Sequence, residues 1–273
     1  MYEVAQEIFD YLPINKSLPE ARYIEHLWRS FLTLDDTDGN DNYAARPFII
    51  MPFHLIFMLA LQYKVLRIYR EKKREYGLAF TIINPRDDQK AVLSPGSAFD
   101  LALISESQII DLLKIVAVPS ERIREIKSLV RNRNDNLAHA KGGIEIYPNN
   151  KVDQYLDALR NLQPFFVSHN DLIADQWINN ITEEDDINEY VDSHLIDTLL
   201  CPADFRVGLL SVFNLIDYNE DIPYKKWQSA IKKVAKMGNK SSLLWLKHLA
   251  QNHPDNKMRS EVLHIINNIQ NLM

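Results

Sequence analysis

Val130-Arg131-Asn132-Arg133-Asn134-Asp135-Asn136-Leu137-Ala138-His139-Ala140, closed by Lys141-Gly142-Gly143, is the stretch on which the reading of this chain turns. It is the tail of an amphipathic helix that opens at Ser120, a favourable N-cap residue after Pro119. Ile123, Ile126, Leu129, Val130 and Leu137 recur at helical spacing and mark a core-facing stripe. Arg133 projects along the same stripe, whereas Arg131 points away from it. A guanidinium on an apolar stripe needs a partner, because an unpaired buried charge is costly. That separates Arg133 from the other arginines of the chain.

His139 lies about 120° round an ideal helix from Arg133, so a straight helix would not let the two act on one group. Asn134, Asp135 and Asn136 between them are weak helix formers, and Gly142-Gly143 is a strong stop. A kinked last turn that swings His139 towards Arg133 fits this composition. Asp135, one helical turn before His139, can orient the imidazole and favour its charged form. A phosphate-type cation, a proton-transfer group and an orienting acid thus share one segment.

The run from Arg133-Asn134 to Ala138-His139 resembles the signature of the HEPN superfamily: an arginine, a polar residue, three to five further residues and a histidine. That family comprises helical-bundle domains, many of them metal-independent endoribonucleases of toxin–antitoxin and phage-defence systems. The resemblance implies an all-α fold: a HEPN-like helical bundle over 46–182, preceded by an N-terminal helical segment and linker over 1–45. Residues 183–273 are expected to form an additional C-terminal helical module. It also implies Arg133 as phosphate ligand, His139 as general base or acid, and Asn134 as a positioning residue. A two-fold dimer would bring two motif helices together and complete the site.

Composition sets the outer bounds. A chain of 273 residues, 46% hydrophobic and 25% charged, can bury a substantial core. Seven glycines disfavour barrels, sandwiches and Gly-rich phosphate loops. The net charge of −6 gives no global attraction to nucleic acid, so any RNA site must be a local basic patch. A single cysteine, Cys201, excludes an intramolecular disulfide and a CxxC zinc site and suits a reducing, cytoplasmic setting. Met1-Tyr2-Glu3-Val4 has neither the basic nor the apolar region of a signal peptide.

Outward from the motif, the most hydrophobic stretch is Phe48 to Tyr63. It is shorter than the ~20 residues of a comfortable membrane span. It is also interrupted by Pro52 and His54 and runs on into Lys64, Arg67 and Arg70, so it is expected to be a central core helix, with His54 as a hydrogen-bonded core residue. Tyr2–Leu12 forms a short amphipathic segment stopped by Pro13, and a helix through Leu27 and Phe31 follows Pro19. The acidic run Asp35 to Asn42 fails as a calcium loop, since Leu34 falls at the first ligand position and Ala45 where the closing Glu should stand. Residues 77 to 96 read as a loop with one short strand near Ala79–Ile83. Ser97 to Val118 reads as one helix, and Val152 to Asn179 as another, bent at Pro164. Beyond Thr182 further helices are expected, among them Tyr224–Met237 and Met258–Asn271.

The chemistry expected of the site follows from its residue types. RNA carries its own nucleophile, the 2′-OH, so cleavage needs a base, an acid and a clamp on the phosphorane, with no metal and no cofactor. Histidine titrates near neutrality, and arginine grips phosphate oxygens through paired N–H donors. The supporting RNA contacts expected are Arg131 and, on a helix that also carries Tyr224 and Trp227, Lys225, Lys232 and Lys236. The leading expectation is an RNA-cleaving homodimer with no membrane association, with an antitoxin or defence-system protein as partner. Two other readings stand beside it: a non-catalytic HEPN module that binds RNA or protein, and a helical scaffold in which Arg133 and His139 are incidental.

Overall fold

A computed structural model of the chain describes residues 2–13, 18–36, 50–83, 85–133, 150–166 and 256–270, with single positions or pairs at 199, 201, 203–204 and 251. Helix accounts for 86% of the described residues, and no strand occurs among them. The fold is all-α. Its α-helices are α1 (Tyr2–Ala5), α2 (Ala21–Asp36), α3 (Ile50–Glu71), α4 (Lys73–Ile83), α5 (Glu106–Leu112), α6 (Ser120–Arg133), α7 (Asn150–Leu162) and α8 (Asn256–Gln270). Short 3-10 segments link several of them. Packing divides the chain into two units, residues 1–8 with 16–165, and residues 9–15 with 166–273.

In the first unit α3 is the axis. Phe53, Ile56, Phe57, Leu61, Val65 and Ile68 are all buried on one half of the helix and Met58, Leu59 and Leu66 on the other, so buried residues point in every direction round it. A helix apolar on all sides must be enclosed by others. Helices α2, α4, α5 and α7 all pack against it. By length and composition α3 could cross a membrane, but 89% of its most apolar window is buried within the structure. Each large apolar side chain enclosed in this way contributes about 1.5–3 kcal/mol relative to exposure.

Three polar residues on α3, His54, Tyr63 and Lys64, are enclosed with partners. Nε2 of His54 lies 2.9 Å from Glu106 Oε1 at the start of α5, and Nδ1 lies 3.0 Å from the Tyr155 hydroxyl on α7. The Tyr63 hydroxyl donates to Glu20 Oε2 at 3.0 Å, and burial, reinforced by that carboxylate, pushes the phenol well above its usual range. Glu20, only 1% exposed, also accepts from the Ala98 amide at 2.7 Å, capping the 3-10 segment Ala98–Leu103 from a site remote in sequence. Lys64 Nζ donates to Gln163 Oε1 at 3.1 Å. The expectation for His54 as a hydrogen-bonded core residue is thereby met.

The segment from 73 to 118 departs from the sequence reading twice. The short strand expected near Ala79–Ile83 is instead the second half of α4. Tyr76 and Phe80, one turn apart on that helix, are buried together, and Tyr76 also packs edge-on against Tyr69 and donates to the Val92 carbonyl. Helical spacing serves these contacts and alternation would not. The single helix expected over Ser97–Val118 is broken into Ala98–Leu103, α5 and Leu113–Val116. Ser97 and Ser105 each start a new element with a capping box, the second closed by Gln108. Ala117, at φ 60°, turns the chain out of the last piece towards Pro119.

Helix α7 gives way at Leu162 to the 3-10 segment Gln163–Phe166, with Pro164 where the bend was expected. Arg160 on α7 holds both carboxylate oxygens of Glu7, tying the N-terminal segment to this unit. In the second unit, α8 corresponds to the helix expected over Met258–Asn271, and its Val262 is buried. Cys201 and Asp204, both 3% exposed, close a local turn in which Asp204 Oδ2 accepts from the Cys201 amide at 3.1 Å. The other expected C-terminal helices lie outside the described residues.

Candidate functional site

Helix α6 is the element that delivers the motif. It starts at Ser120, with the Pro119 carbonyl accepting from the Ile123 amide at 3.1 Å, and Glu121 sits in its first turn, where the helix dipole favours an acid. Ile123, Ile126 and Val130 are buried, as the helical spacing requires, and the helix packs on α5 and α7. Arg131 is exposed, in agreement with its expected orientation away from the stripe.

Arg133 is the last residue of α6. Asn134, Asp135 and His139 lie outside the described residues, as do Lys225, Lys232 and Lys236. What the structure supplies for the motif is its frame. Residues 134–149 connect α6 to α7, two helices of the same unit that pack on one another.

Beside the frame lies a charge cluster that the sequence reading did not identify. Asp111 on α5 accepts from Lys114 through one carboxylate oxygen and from Lys127 on α6 through the other. Partial burial works against ionisation of Asp111, but the two lysines outweigh it with hydrogen bonds and charge, holding its carboxyl below the usual range. Arg122, further along α6, pairs with Glu125. Lys114 and Asp111 are close in sequence, so half of the cluster was legible. Lys127 joins it only through the packing of α6 on α5.

The Glu106–His54–Tyr155 chain has the form of a proton relay, an imidazole held between a carboxylate and a phenol. His54 and Tyr155 are 0% and 2% exposed, so no substrate atom reaches the ring in this conformation. Its role in this structure is to bind α3, α5 and α7 together. Among the described residues no group of three His, Cys, Asp or Glu side chains is placed to hold a metal ion.

Comparison of the chain with protein-family models, with curated proteins and with solved structures finds no match. The functional reading therefore rests on the chain's own residues.

Proposed function

We propose that this protein is a metal-independent endoribonuclease of the HEPN type, working in the cytoplasm as a homodimer and serving as a toxin or anti-phage effector. The observation that carries the reading is the sequence motif from Arg133-Asn134 to His139, whose arginine is the last residue of a helix with a buried apolar face in an all-helical fold. The packing of α6 on α5 and α7 supports it, because the helix that carries Arg133 is held within the bundle.

In this reading Arg133 grips the non-bridging oxygens of the scissile phosphate and stabilises the charge that builds on the phosphorane. His139 removes the proton of the 2′-hydroxyl or delivers one to the departing 5′-oxygen. One histidine cannot be base and acid at the same moment, so the second set comes from a two-fold-related copy. Asn134 positions the substrate and Asp135 orients the imidazole. An antitoxin or another defence-system protein is the partner that would hold such an activity in check.

The test is cleavage of mixed RNA by purified protein in EDTA, beside His139→Ala, with sedimentation at micromolar concentration. Wild type should cut, leaving 2′,3′-cyclic phosphate and 5′-hydroxyl ends, and a 2′-deoxy residue at the cut site should block the reaction. It should sediment as a dimer. Cleavage by His139→Ala at the wild-type rate, or activity lost to chelator and restored by Mg²⁺, would overturn the proposal.

A further inference from the structure

The cations of α6 are not spread evenly round the helix. At about 100° per residue, Arg124, Lys127 and Arg131 fall within roughly 60° of arc. The acids Glu121 and Glu125 are centred roughly 100° to one side and the buried Ile123, Ile126 and Val130 roughly 100° to the other. Arg124 and Arg131 are exposed and, among the described residues, neither forms an ion pair. A face that serves only for solubility would interleave its charges, as Arg122 and Glu125 do one face away. Here three cations stand in a row on a helix of a chain whose net charge is −6.

Lys114 widens the row. Asp111 takes one donor from each of Lys114 and Lys127. An ammonium has three N–H donors, so each lysine keeps two for another acceptor. The carboxylate fixes the two ammonium groups side by side and cancels only one of their charges. From Arg124 to Arg131 the row runs ~10 Å along the helix axis, about three phosphates at ~3.4 Å per nucleotide of a stacked strand.

We infer that Arg124, Lys127 and Arg131, with Lys114 beside them, form a track that binds the phosphate backbone of single-stranded RNA. The inference rests on the ribonuclease reading for its ligand, and on the one-sided charge of α6 for its location.

The probe is a fluorescein-labelled single-stranded RNA whose anisotropy is measured over a salt series, with every variant also carrying His139→Ala so that binding is separated from cleavage. The first variant, Arg124→Gln with Arg131→Gln, alters only exposed side chains and leaves the Asp111 pairs intact. The second adds Lys114→Gln and Lys127→Gln. Arg22, Arg86 and Lys90, exposed cations outside the track, are changed to Gln as a control. The first variant should bind about tenfold more weakly, and its salt slope should fall by ~0.7 for each phosphate that is no longer neutralised. The second should fall further, and the control should match the parent. Equal losses in track and control variants, or an unchanged slope in both track variants, would overturn the inference, as would binding of anionic lipid vesicles through the row without binding of RNA. The two readings fail separately. RNA held by the track but uncut by wild type would refute the nuclease alone; unchanged affinity in the track variants, with RNA cut normally when the same substitutions are made with His139 retained, would refute the track alone.

Discussion

Tyr155→Phe removes one oxygen atom from the interior and tests the principal long-range polar contact of the first unit. The Tyr155 hydroxyl lies 3.0 Å from His54 Nδ1, and both residues are enclosed, at 2% and 0% exposure. In the tautomer whose Nε2 donates to Glu106 Oε1, Nδ1 accepts from the phenol. Deleting the hydroxyl leaves Nδ1 without that donor in a site that excludes water, at a cost of about 1–3 kcal/mol. The ring remains, so its edge-on contact with Phe57, 4.7 Å between centroids, should survive and no large cavity opens. For a domain of this size each kcal/mol shifts Tm by about 2–4 °C, so a fall of roughly 2–12 °C is expected. Calorimetry or circular dichroism would measure it, with His54→Phe and the double variant completing a cycle. Coupling of about 1 kcal/mol or more between the two substitutions is expected. A Tm within 1 °C of wild type together with zero coupling, the 1 °C limit being roughly half the smallest expected shift, would refute the assigned hydrogen bond.

Two further outcomes follow. The Asp111 carboxyl is held below its ordinary value of 3.8 by Lys114 and Lys127, so its contribution to stability is present above that value and lost as pH falls through the lower, folded one. The stability gap between wild type and Asp111→Asn, read by urea denaturation, should be small, under ~1 kcal/mol for a partly exposed cluster, constant from about pH 7 to 5, and should close below about pH 4; a gap that widens in acid would contradict the sign. In the C-terminal part, changing Lys225, Lys232 and Lys236 to Glu should weaken RNA binding and flatten its salt dependence if those lysines touch phosphate. An unchanged slope would leave them as solubilising residues.

Much of the first unit was legible from local pattern alone. The apolar run from Phe48 read as a core helix, and α3 is one, because a helix without a polar face has nowhere to lie but inside. The spacing of Ile123, Ile126 and Val130 fixed both the existence of α6 and its buried side, and with it the outward direction of Arg131. Where the reading failed, two local signals competed. Ala79–Ile83 is rich in residues that also suit strands, and the decision for helix came from Tyr76 and Phe80 packing into the interior one turn apart. Ser105 looks like an ordinary polar position within a helix, yet it acts as a cap that breaks it.

The motif itself, Arg133-Asn134 to His139, and the distribution of charge along α6 are properties of the sequence, since one helix register assigns every side chain of that helix to a face. Tertiary structure alone decided the pairings. Glu20 caps a segment 78 residues further on, Glu106 meets His54 across 52 residues, and Tyr155 meets it across 101. Lys127 reaches Asp111 across 16. Periodicity reports which face of a helix turns inward, but it carries no information on which other face is met there. That partner is chosen by the joint packing of all the helices, which lets a buried polar atom accept only the donor that the packing brings within about 3 Å.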